Sequence, residues 1–213
     1  MSTLLSELDR QIATLLDAKL VADEVMAALR ERVVRSSPEA GAGNVPICIA
    51  MRKPPTAALM QRITARNAHG VVDMTPVAPE DFQPIEGITL PGDAYVLLDV
   101  DTGRARLNMS PQDSVAALLA EGRTPLTLEE GVMLAFLYPA ILTDKRQYNC
   151  IQMPGSRRAG DQRVPSLWFS KGSPRLGWCW DRNVHTWLAT ASAACRLGTT
   201  DERGGGRSPA WDN

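Results

Sequence analysis

Apolar residues recur at helical spacing over residues 3–35: Leu4, Leu8, Ile12, Leu15 and Leu16, then Val21, Val25, Met26, Leu29 and Val33. Ser2 or Thr3 can cap the start, and no Pro or Gly interrupts the pattern. It predicts one long or two shorter amphipathic helices, with a break between Lys19 and Asp23, forming an N-terminal helical arm over residues 1–36. Glu24, Arg30, Glu31, Arg32 and Arg35 make the opposite face polar, so the apolar face must lie on a partner, on a second copy, or on the chain's own domain. Residues 36–44 (SSPEAGAGN) read as a linker.

Short β patterns follow. Residues 45–51 (VPICIAM) suit a buried strand and residues 70–74 (GVVDM) a shorter one. Residues 94–100 (AYVLLDV) form the strongest strand pattern, closed by the turn residues Asp101, Thr102 and Gly103. Residues 56–69 carry a more helical pattern, with Leu59, Met60 and Ile63 on one face. Ser110-Pro111 and Thr127-x-x-Glu130 then open two helices, the second by a capping box, which stop near Gly122 and Pro139. Residues 164–170 and 175–180 read as strands joined by a hairpin-like turn at residues 171–174. Residues 184–196 are ambiguous: His185-Thr186-Trp187 suits a strand, and the Ala-rich run over residues 189–194 suits a helix. Residues 198–213, with three consecutive glycines, read as a disordered tail.

The order of elements lacks a regular β-α-β alternation, which argues against a doubly wound nucleotide-binding sheet. The expected fold is α+β: a mostly antiparallel sheet with packed helices over residues 45–197, preceded by the helical arm.

The chain has 213 residues and a net charge of -1, so it lacks the basic surplus needed to coat extended nucleic acid. No apolar run reaches the roughly 18 residues of a membrane span, and the charged start is unlike a signal peptide, which predicts a cytoplasmic protein without a membrane partner. Arg outnumbers Lys 19 to 4, which fits a high-GC genome. The near-neutral average conceals a local bias. Over residues 157–182, Arg157, Arg158, Arg163, Lys171, Arg175 and Arg182 face only Asp161 and Asp181.

Three groupings could carry chemistry. In residues 154–163 (PGSRRAGDQR), two glycines let backbone N–H groups converge while Ser156, Arg157, Arg158 and Arg163 supply donors and positive charge. Such a loop suits a small anionic group, although it lacks the Lys and spacing of a P-loop. If its arginines pair with Asp161 and nearby acids, it is a surface turn. Cys179 and His185 form the second grouping, a candidate catalytic pair, because an imidazolium can stabilise a thiolate. The third joins Cys150, Cys179, His185 and Cys195 as a Cys3His zinc set, right in ligand type but without the tight-turn spacing of structural sites, so no metal ligands or cofactor are assigned. Trp168, Trp178, Trp180 and Trp187 fall within twenty residues; they either pack a core or line a cleft for a planar or cationic ligand. Asp99 and Asp101 read as turn-forming residues.

The runs GSRRAGDQRVPSLWFSKGSPRLGWCWDRNVHTW, LLDVDTGRARLNMSPQDS and GRTPLTLEEGV resemble an uncharacterised family of actinobacterial proteins, a domain of unknown function. The resemblance covers most of residues 45–196, with WCW-x(4)-HTW at residues 178–187 as its specific part. It implies a shared fold and a bacterial, intracellular setting, and no activity. The expected function is therefore that of a cytosolic binding or assembly protein, using residues 3–35 for a protein partner or homo-oligomer and the Gly/Arg loop for an anion. The alternative is a small enzyme acting on an anionic metabolite that bears phosphate, sulfate or carboxylate, with Cys179 and His185 in its site.

Overall fold

Lys19 adopts a left-handed conformation (φ 56°) and splits the N-terminal pattern into α1 (Ser2–Asp17) and α2 (Asp23–Ser36). The structure, a computed structural model, describes residues 2–36, 40–41, 44–144 and 150–200. Residues 37–39 and 42–43 of the expected linker and residues 201–213 of the expected tail lie outside the described residues. The chain continues through β1 (Val45–Met51), α3 (Thr56–Arg62), β2 (Val71–Val72), β3 (Ala94–Val100), α4 (Pro111–Ala120) and α5 (Leu128–Leu137). It ends in β4 (Cys150–Gln152), β5 (Arg163–Ser170), β6 (Ser173–Trp180), β7 (Ala189–Thr190) and β8 (Cys195–Leu197).

This is an α+β fold with mostly antiparallel sheets. One sheet has the order β1-β3-β8, and the other the order β7-β4-β5-β6-β2, with parallel pairing only at its two outer strands. The continuous apolar pattern of β3 is that of a central strand, flanked on both sides by partners. Ser110 and Thr127 cap α4 and α5 by accepting the N–H groups of Asp113 and Glu130, and Glu130 closes the capping box. Nearly every residue of α5 is buried, because the helix touches β1 and also β5 of the other sheet.

The arm is docked on its own domain. Leu8, Leu15, Met26, Leu29 and Val33 are buried in the same core as Ile47, Ile49 and Val96, which answers what the apolar face of residues 3–35 covers. Gln11 positions α1. It is completely buried, and its side-chain amide donates to the Ile47 carbonyl at 2.9 Å while accepting the Ile49 N–H at 2.8 Å. β1 is an edge strand, so this one side chain supplies the pairing that a further strand would give. Glu7 joins the contact. Burial alone would raise its carboxyl, but hydrogen bonds from Arg10, Tyr138 and Gln11 outweigh that and hold it down at about 2. The stabilisation from Glu7 is thus fully present above the ordinary carboxylate range and is lost as pH falls towards about 2. Urea melts from pH 6 to pH 2.5 should show a stability loss that Glu7→Gln, already lacking the charge, largely removes.

The Ala-rich run is extended, not helical. Residues 189–197 pass through three ladders in succession: β7 beside β4, Ser192–Ala193 beside Thr124–Pro125, and β8 beside β3. Between them, the Ala191 N–H reaches the Gln152 carbonyl, and Ser192 exchanges backbone hydrogen bonds with Asp101. These long-range partners satisfy backbone groups that a helix would pair locally, and they outweigh the helix propensity of alanine. Asp99 and Asp101 also do more than shape a turn. Asp99, with φ 50°, pairs with Arg123 at 2.6 Å, and Asp101 accepts the Gly103 N–H and pairs with Arg106 at 2.8 Å.

Candidate binding pocket

The pocket begins with the β5–β6 hairpin. Lys171 and Gly172 take positive φ values (49° and 79°), the geometry of a tight two-residue turn whose twist matches the strands. The register sets Val164 opposite Cys179, Ser166 opposite Gly177 and Trp168 opposite Arg175. Alternation then puts Val164, Ser166, Trp168, Gly177 and Cys179 on one face, and Arg163, Trp178 and Trp180 on the other. A Cβ at Gly177 would stand 2.2 Å from Cη2 of Trp168, so the indole lies where any larger residue would collide with it. Beneath it, Cys150, Val164, Cys179 and Leu188 form a small apolar floor.

Above this floor is a cavity of about 260 Å³, walled by Trp168, Cys179, His185, Trp187 and Leu188, with Trp178, Trp180 and Asn183 completing it. The sequence cluster thus supplies both readings at once. Trp168 packs on the floor, while Trp180 and Trp187 remain 42% and 49% exposed. The imidazole of His185 meets Trp187 edge to face at 5.7 Å, and its Nε2 is buried with no hydrogen-bond partner among the described residues. Burial pushes the His185 pKa down, favouring the neutral ring. The indole N–H groups of Trp168 and Trp178 are already taken, by Ser170 Oγ at 2.8 Å and the Met74 carbonyl at 3.0 Å.

Cys179 and His185, the expected catalytic pair, both line this cavity. The thiol is buried, burial raises its pKa, and its sulfur accepts from Gln152 and Ser166 at 3.4 and 3.3 Å. Burial thus favours the neutral thiol, and among the described residues no hydrogen bond links Cys179 to His185. The zinc set is not assembled either. Cys195 lies on β8 in the other sheet, and among the described residues no three His, Cys, Asp or Glu side chains are grouped so as to hold a metal ion.

The Gly/Arg loop folds as a self-neutralised turn. Ser156 is buried and its Oγ accepts the Leu128 N–H at the start of α5. Arg157 pairs with Asp181 at 2.5 Å and donates to the Pro154 carbonyl, while Arg158 and Arg163 share Asp161 at 3.0 and 2.7 Å. Burial would raise the Asp161 carboxyl, but the Arg163 N–H and both guanidinium groups outweigh it and hold it below the ordinary range. Arg163 also lies over Trp178 and Trp180, 4.6 and 5.0 Å from their centroids. Arg157, Arg158 and Arg163, the arginines of the expected anion site, are therefore paired with the chain's own acids and rings.

A second cavity escaped the sequence reading. It has a volume of about 420 Å³ and lies among Arg52 and Lys53 after β1, Thr56 at the start of α3, Glu80 and Phe82 in the loop before β3, and Glu129 in α5. The available signal was the doublet Glu129-Glu130, of which only Glu130 is needed for the capping box.

The fold and the pocket together define an α+β protein with two sheets around a buried helix and an aromatic-lined cavity at its surface. The chain belongs to DUF5701, a family of unknown function, whose sequence profile matches residues 7–199. No curated protein and no solved structure matches it. Among the described residues no helix is long and apolar enough to cross a membrane.

Proposed function

We propose that the protein is a non-catalytic binding module that takes a small, uncharged planar ligand into the tryptophan pocket, with His185 as its polar anchor. The observation that carries this reading is the buried, unpartnered Nε2 of His185 on the wall of an aromatic cavity. Buried polar atoms are nearly always hydrogen-bonded, and a ligand atom would complete this one. Aromatic walls favour a flat ligand, and the neutral imidazole gives no reason for the ligand to carry charge. The setting we assign is the cytoplasm of an actinobacterium, on the high-GC composition and the family resemblance.

Titration with indole, 2-quinolone and naphthalene, followed by tryptophan fluorescence and by NMR of the His185 ring, tests this. The two probes bearing a hydrogen-bonding atom should bind saturably and more tightly than naphthalene. His185→Ala should weaken them about tenfold, the value of one hydrogen bond of about 1.4 kcal/mol. Gly177→Ala should weaken all three by displacing the Trp168 ring. Absence of saturable binding, or affinity unchanged in His185→Ala, would count against the proposal.

A further inference from the structure

We infer that the cleft between Lys53 and Glu129 is a second ligand site, independent of the tryptophan pocket, for a small molecule with an amine at one end and a carboxylate at the other. Glu129 stands in the first turn of α5, yet the cap there is made by Thr127 and Glu130. Its Oε2 is buried and has no hydrogen-bond partner among the described residues. Glu80 lines the same cleft; burial, aided by the charges of Glu130 and Glu80, raises the Glu129 pKa and outweighs the lowering by hydrogen bonds from its own N–H and from Thr127. A cation seated between Glu80 and Glu129 would relieve both the lost solvation and the like-charge contact.

The opposite sign is present in the same cleft. Arg52 is anchored through Nε and Nη2 on the carbonyls of Gly92 and Leu90, at 3.2 and 2.5 Å, leaving Nη1 without a hydrogen bond among the described residues. Lys53 is exposed and makes no ion pair among the described residues. Arg52 Nε lies 3.9 Å from the exposed Asp93 carboxylate, and among the described residues neither basic residue comes within ion-pair distance of Glu80 or Glu129, although all four line one cavity. Charges of both signs that do not pair with one another across a cleft match a zwitterion, whose ammonium meets the carboxylates and whose carboxylate meets Lys53 and Arg52. Phe82, almost fully buried, gives an apolar surface for the chain between the two ends. A divalent ion suits the cleft less well, because no group of three metal-binding side chains forms among the described residues. The volume of about 420 Å³ lies within the range of small-ligand pockets.

Calorimetry with glycine, 4-aminobutyrate and 6-aminohexanoate, against butylamine, butyrate and magnesium chloride, tests the inference on the full chain. At least one amino acid should bind at least tenfold more tightly than either single-charge control. Glu129→Gln and the exposed-site variant Lys53→Ala should each weaken it at least tenfold without lowering the thermal midpoint, while His185→Ala should leave it unchanged. The inference is overturned if no amino acid exceeds the single-charge controls, if magnesium binds more tightly than every amino acid, or if binding survives Lys53→Ala intact.

Discussion

Arg196→Met is expected to lower the unfolding free energy by about 3–5 kcal/mol, the cost of leaving one member of a buried ion pair without its partner. The Arg196 side chain is 6% exposed and that of Glu130 is 0% exposed. The guanidinium grips the carboxylate with two bonds, Nε to Oε1 at 2.6 Å and Nη2 to Oε2 at 2.7 Å. It also donates to Thr124 Oγ1 and the Pro125 carbonyl, while Glu130 accepts from Tyr95 Oη and the Thr127 N–H. One pair thereby ties β8 to α5, the central strand β3 and the loop before the helix. After Arg196→Met the carboxylate would keep only the Tyr95 and Thr127 bonds. Urea denaturation should show a lower midpoint at unchanged slope. Adding Glu130→Met should recover part of the loss, because an apolar pair of similar volume tolerates burial, leaving a deficit of about 2–4 kcal/mol for the cap and for the buried Tyr95 hydroxyl that loses its acceptor. Loss of under 1 kcal/mol in the single variant would mean that the pair is not closed in solution.

How far such features are legible in a sequence depends on how far apart their partners lie. β3 runs over residues 94–100 as its unbroken apolar pattern predicts, and the caps at Ser110 and Thr127 read correctly because cap and acceptor are three residues apart. The β5–β6 hairpin was equally visible, since two residues turn the chain. Residues 189–197 failed the same reading, because their hydrogen bonds go to strands far away in sequence and alanine carries no local strand signal. Over residues 157–182 the count includes Asp181, but that Asp181 pairs with Arg157 is a property of the fold that a count along the chain does not reveal. In the pocket, Cys179, His185 and the tryptophans were found by composition, but the unpartnered Nε2 is a property of three-dimensional packing. Glu129 was hidden by its neighbour, since a doublet at a helix start reads entirely as capping and dipole chemistry.

Gln11→Leu should separate a docked arm from one that serves a partner. Leucine fills much the same space but can neither accept the Ile49 N–H nor donate to the Ile47 carbonyl. The buried Ile49 N–H would lose its acceptor while the Ile47 carbonyl keeps the Tyr138 hydroxyl, so the expected loss is about 1–3 kcal/mol. A variant weakened in this way also uncovers the β1 edge whenever α1 lifts away, and an open edge pairs with other chains. Light scattering should therefore show association that grows with concentration in Gln11→Leu and is absent from the same chain with Gln11 intact. A chain starting at Asn44 should fare worse. It lacks Leu8, Leu15, Met26, Leu29 and Val33, all buried in the core. At about 1.5–3 kcal/mol for each buried side chain, that deletion removes as much as the whole stability of a typical domain, about 5–15 kcal/mol. A soluble, folded monomer from the truncated chain would show instead that the helices are an appendage, and would return residues 3–35 to the role of a partner surface.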